Sequence, residues 1–144
     1  MRLLSATAFL VLSAWAAGAA DDPKDAAKAL EGAYEVLDVT IGGKPDPKKD
    51  AIKSVEIKGG EFVIKVGTRD DPAKFTLDPS KKPAHIDLAP GGEKVPGIYE
   101  VKETDKGTEL TVALNLGEKR DRPTDFKGAG KEEVMLKLLR KKAK

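Results

Sequence analysis

Hydrophobic and polar residues alternate along most of this chain. Ala84, Ile86 and Leu88 are separated by the polar His85 and Asp87, and Pro90-Gly91-Gly92 ends the run. Pro96-Gly97 then leads into Ile98-Tyr99-Glu100-Val101. Period-2 alternation bounded by turn residues marks a strand with one buried face. The pattern recurs on both sides. Ala33 to Ile41 is rich in β-formers and stops at Gly42-Gly43. Ile52 to Lys58 sets Val55 and Ile57 on one face. Glu61 to Val66 places Phe62, Ile64 and Val66 opposite Glu61, Val63 and Lys65. Gly59-Gly60 between these two segments is a hairpin signal, since both positions tolerate positive φ. A turn at Thr68 to Pro72 leads to Ala73, Phe75 and Leu77. The tight turn Asp105-Lys106-Gly107 leads to Leu110, Val112 and Leu114. After a long loop from Asn115 to Lys131, Val134, Leu136 and Leu138 form the last strand.

One short helix precedes the strands. Asp22 suits the cap, Pro23 the first helical position, and Asp25 the positive helix end. Ala26, Ala27, Ala29 and Leu30 continue it, and Gly32 stops it. Two turns do not stand alone in water, so this helix must rest across one end of the domain.

About eight short strands in hairpin order predict an all-β fold. An open sheet of that size leaves two edges, and closure into an up-and-down antiparallel barrel removes them. A two-sheet sandwich fits the same count, but tight sequential turns favour the barrel. In a closed barrel the first and last strands are antiparallel neighbours. Tyr34 is in phase with Val36, and Arg140 with Val134, Leu136 and Leu138. The tyrosine ring and the guanidinium are therefore expected to meet at one end and close the barrel under the helix. In the alternative, Arg140 simply opens the basic tail that runs to Lys144.

Composition narrows the classes. The chain has 144 residues, enough for one domain, with 26 Lys+Arg against 24 Asp+Glu. That balance offers no field that would draw nucleic acid. Cysteine is absent, which excludes disulfides and thiolate metal sites, and His85 is the one histidine. No metal and no cofactor is expected. Residues 1–20 read as a signal peptide: Arg2, the apolar run Leu3 to Trp15, then Ala17-Gly18-Ala19-Ala20. The expected product is an exported domain, 21–144, periplasmic or extracellular, with no membrane span after cleavage.

Some motifs resemble a known group. Leu30-Glu31-Gly32-Ala33-Tyr34-Glu35-Val36 resembles the first-strand Gly-x-Trp signature of lipocalins, with tyrosine in the tryptophan position. Pro83 to Leu88, Gly97 to Val101, and Arg122-Pro123 followed by Phe126 resemble a lipocalin-like domain family of exported planctomycete-type bacterial proteins. The resemblance spans Leu30 to Arg140. It implies an eight-stranded lipocalin-like barrel and carries no assigned biochemical role.

The candidate ligand-binding residues follow from the inward set. Phe62, Phe75 and Tyr99 either wall an apolar cavity or fill the barrel, since eight strands sit at that size boundary. The long loop either acts as a lid, with Phe126 inserted and Arg122 facing an anion, or is a structural loop pinned by Phe126 and by Arg122 pairing with Asp121 or Asp125. His85 and Asp87 share an outward face. One imidazole and one carboxylate lack a nucleophile and oxyanion donors, so an enzyme is not expected. The functional expectation is a binding module that holds a small apolar or amphipathic molecule in the barrel. The alternative is a structural or protein-interaction domain with a filled barrel. No motif identifies a protein partner.

Overall fold

The alternating segments become strands, and each pairs with the next. A computed structural model of the chain describes residues 23–46, 51–119, 121–127 and 130–142. The expected signal peptide and the capping Asp22 lie outside these. Helix α1 (Pro23–Ala29) is followed by β1 (Gly32–Ile41), β2 (Lys44–Pro45), β3 (Ile52–Lys58), β4 (Glu61–Val66) and β5 (Arg69–Asp78). Then come β6 (Ala84–Ala89), β7 (Val95–Thr104), β8 (Gly107–Asn115) and β9 (Glu133–Lys141). Neighbours run antiparallel in the order β2-β1-β3-β4-β5-β6-β7-β8-β9, and β1 pairs again with β9. Eight strands thus form a closed up-and-down barrel. Strand β2 is an addition, paired to the end of β1 through Thr40 and Ile41.

Local chemistry accounts for the turns and the departures. Gly59 and Gly60 take φ of 59° and 82°, the left-handed conformation that lets two residues reverse the chain. Strands β5 and β7 begin earlier than their prolines suggest. Pro72 pairs with Val63 of β4, whereas β5 meets β6 only from Lys74 onward, so one side of this stretch has no ladder to interrupt. Pro96 similarly precedes the first β7–β8 pair, Gly97 with Leu114. The two-residue β2 arises inside a stretch that reads as a polar linker.

Strand β1 divides its pairing. Gly32 to Tyr34 pair with β3, and Glu35 to Ile41 pair with β9. A bulge between Val36 and Asp38 shifts the inward phase from Val36 to Val39. Beyond Tyr34, β1 and β3 part, and the seam widens toward the end that carries the β4–β5 turn.

The inward faces meet in one apolar cluster. Val55, Phe62, Leu110, Val112 and Leu138 are all 0% exposed. Each such side chain contributes about 1.5–3 kcal/mol relative to exposure. The helix end of this core is sealed by a polar clamp. Arg140 Nη1 donates to the carbonyls of Ala29 at 3.0 Å and Glu31 at 2.6 Å. Its Nη2 donates to Thr108 Oγ1 at 3.3 Å, and its guanidinium carbon lies 5.6 Å from the Tyr34 ring centroid. The Tyr34 hydroxyl donates to the Leu30 carbonyl at 2.8 Å. Three consecutive carbonyls at the end of α1 are thereby satisfied. Gly32 has φ of +143°, and a Cβ there would sit 2.6 Å from Arg140 Cδ. The glycine leaves the path along which the arginine reaches the helix.

Arg140→Ala should cost about 2–3 kcal/mol, combining charged hydrogen bonds with a ring contact. Arg140→Lys should recover only part, because an ammonium cannot span the same acceptors in a fixed plane. Urea denaturation measures both. A loss under about 1 kcal/mol for the alanine variant would show that the helix is held by other contacts.

Candidate functional site: two recesses at the ends of the barrel

Filling of the barrel stops short of both ends. At the end with the β4–β5 turn, a mouth of about 290 Å³ opens under the β1–β3 seam. Its walls include Val39, Ile52, Ile64, Ala73, Leu114 and Val134. The space exists because Val39 and Ile52 stand on strands that have parted, and because Ala73 is small. Ile41 and Leu116 at its rim are 44% and 54% exposed, so apolar surface continues outward from the interior. Its charged lining consists of Asp46 and Asp71, and Asp71 Oδ2 accepts from Arg69 Nη2 at 2.9 Å.

The second recess, of about 420 Å³, lies between α1 and the strands at the clamped end. Ala26, Ala29 and Leu30 form one wall, Pro79, Pro83 and Ala84 another, and Tyr99 and Val101 a third. Glu100 and Glu103 complete it.

The expected ligand residues are distributed unevenly over this geometry. Phe62 and Phe75, 0% and 7% exposed, sit in the packed cluster and line neither recess. Tyr99 lines the recess under the helix. Arg122 and Phe126 are not over the mouth. Arg122 Nη1 donates to the Gly97 carbonyl at 2.8 Å, approaches that of Ile86 at 3.5 Å, and lies 2.9 Å from Asp87 Oδ1. The carboxylate contact is electrostatic, for no aligned hydrogen bond reaches Oδ1. Asp121 instead offers its carbonyl to Asn115 Nδ2, and the Asp125 carboxylate accepts from the Lys127 amide. The loop therefore straps the outer face of β6–β8. That placement accounts for Ile98 and Ala113, outward in phase yet 1% and 0% exposed. Phe126 is half-buried and lines neither recess. Tyr34 and Arg140 are together in the clamp described above.

His85 and Asp87 share the strapped outer face. Loss of water pushes the His85 imidazole below its ordinary value, with Arg122 next in effect and Asp78 opposing. Among the described residues no group of three His, Cys, Asp or Glu side chains is placed to hold a metal ion. Nor is any helix there long and apolar enough to cross a membrane. Ile41, Ile52, Val95 and Leu116 were not singled out by their sequence. Their signal was present in outline: apolar residues immediately beside turn glycines, prolines or polar loops, where solvent-facing residues are the norm.

A lowered histidine pKa has a definite sign. The unfolded chain takes the proton first, so stability falls as pH drops from about 6.5 toward the folded midpoint. An NMR titration of His85 should give a midpoint below 6.5. In Arg122→Gln it should move upward, because a neighbouring positive charge is lost. An unmoved midpoint would separate Arg122 from the imidazole. Comparison with protein-family models, curated proteins and solved structures finds no match to this chain.

Proposed function

We propose that this chain is an exported, lipocalin-like binding module that takes a small apolar or amphipathic molecule into the barrel mouth. One observation carries the reading: an apolar cavity of about 290 Å³ whose lining runs without interruption onto the exposed Ile41 and Leu116. Leaving such side chains in water is unfavourable by ~25 cal/mol per Å², and an apolar guest removes that surface. The volume is near the lower bound of ordinary ligand sites, ~300 Å³, and about twice the ~150 Å³ cavity that suffices for benzene. The ligand is therefore small, or it leaves part of itself outside. The lipocalin-like motifs and the signal-like first twenty residues support the family and export parts of the reading.

A second reading, a domain that works through its outer surface, is favoured by the filled centre of the barrel. The two readings part on one measurement. Titration of the full chain with 1-octanol, followed by NMR, should shift signals of Ile41, Ile64, Leu114 and Leu116. Ala73→Leu fills the mouth and Leu116→Asp makes its rim polar. Each should weaken binding at least about 10-fold, a loss of ~1.4 kcal/mol. Unchanged affinity in both variants, or no mouth shifts at millimolar octanol, would leave the surface reading.

A further inference from the structure

The recess under α1 differs from the mouth in what it offers a guest. Tyr99 is 6% exposed, yet no hydrogen bond reaches its hydroxyl among the described residues, and its ring forms part of the wall. Beside it Val101 is 44% exposed, an aliphatic side chain facing open space on the inward phase of β7. The charged groups of the lining are Glu100 and Glu103. Glu103 receives a single neutral hydroxyl, Thr108 Oγ1, 3.0 Å from each carboxylate oxygen. One hydrogen shared by two oxygens leaves that carboxylate with unused acceptor capacity. The nearby cation, Arg140, does not line the recess; it is turned toward the α1 carbonyls and Thr108. Burial, and after it the Asp78 charge, pushes the Tyr99 phenol above its ordinary value.

We infer that this recess is a second binding site, for a small apolar molecule that carries an ammonium group. The Ala26, Leu30 and Val101 surfaces take the apolar part. The Tyr99 ring presents the negative face that attracts a cation, and Glu103, on the same inward phase of β7, complements the charge; Glu100 is the other charged residue of the lining. An anionic amphiphile of the same length meets the Glu103 carboxylate and no base among the lining residues. The volume of about 420 Å³ exceeds that of the mouth and admits a chain of several carbons with its head group.

The test titrates the full chain with octyltrimethylammonium and, separately, with octanoate, read by calorimetry and NMR. Leu116→Asp is used as the background, so that binding in the mouth does not contribute. The ammonium should shift signals of Ala29, Tyr99 and Val101 and bind at least about 10-fold more tightly than octanoate. Glu100→Gln with Glu103→Gln, both at exposed positions, should erase most of that preference while leaving the urea midpoint close to the parent's. Tyr99→Leu keeps the lining apolar and removes the ring face. It should cost the ammonium about 5-fold, as ~1 kcal/mol of cation–π attraction implies. Equal affinity for the two amphiphiles would overturn the proposal. So would an unchanged preference in the double glutamine variant, or an absence of shifts at Tyr99 and Val101.

Discussion

One guanidinium joins three stretches that are far apart along the chain: residues 29–34, Thr108 and its own strand. Arg140 stands near the end of β9, yet its acceptors are on the α1–β1 connection and on β8, and its plane lies by the Tyr34 ring. A barrel of apolar side chains has no intrinsic preference for where it stops. Something polar must end it, because the last inward positions face water, helix carbonyls or both. Here the ending is a charged donor with fixed geometry. It satisfies carbonyls that a seven-residue helix cannot satisfy for itself. The buried phenol completes the set through Leu30, and burial pushes that phenol above its ordinary value against the opposing Arg140 charge. Helix docking thus draws on this clamp, while strand closure rests on the β1–β9 ladder from Glu35 to Ile41.

The same logic explains why open space appears where it does. The middle of the barrel is full: Phe62, Val55 and Val112, from β4, β3 and β8, are all 0% exposed within one core cluster. An eight-stranded barrel has about enough width for that and little more. Space is left only where strand pairing or layer size changes. At the mouth, β1 abandons β3 for β9, and the bulge after Val36 turns its inward phase. At the other end, a helix of small residues lies across the opening instead of a further layer of large ones. The recesses are consequences of topology at the ends of a filled cylinder.

The alternation of apolar residues and the glycine-marked turns were enough to read the strands, their order and the closure of the barrel. The phase of Tyr34 against Arg140 also follows from period-2 counting, since both positions lie within one register of known inward residues. What was hidden has a common cause. Arg122 meets Asp87 through space, across strands separated by a long loop, and no local pattern links them. The β1 bulge inserts a residue into an otherwise regular strand, and no glycine or proline marks it. Pro72 and Pro96 resembled strand breakers because their unpaired sides are defined only by neighbouring strands. The mouth was legible as an apolar interior but not in its lining, which depends on where the seam opens.

The packed core and the recess walls therefore belong to different layers. The fully buried residues hold the cylinder, and substitutions there act first on folding. The recess walls include residues that remain partly in water, such as Ile41, Val101 and Leu116, and their replacement disturbs little packing. The helix end carries an added coupling. Ala26, Ala29 and Leu30 form one wall of its recess, and the carbonyls of Ala29, Leu30 and Glu31 are held by Arg140 and Tyr34. The helix wall of that recess is thus held in place by the Arg140 and Tyr34 hydrogen bonds. Helix docking and the shape of the recess wall are, at this end of the molecule, two effects of the same hydrogen bonds.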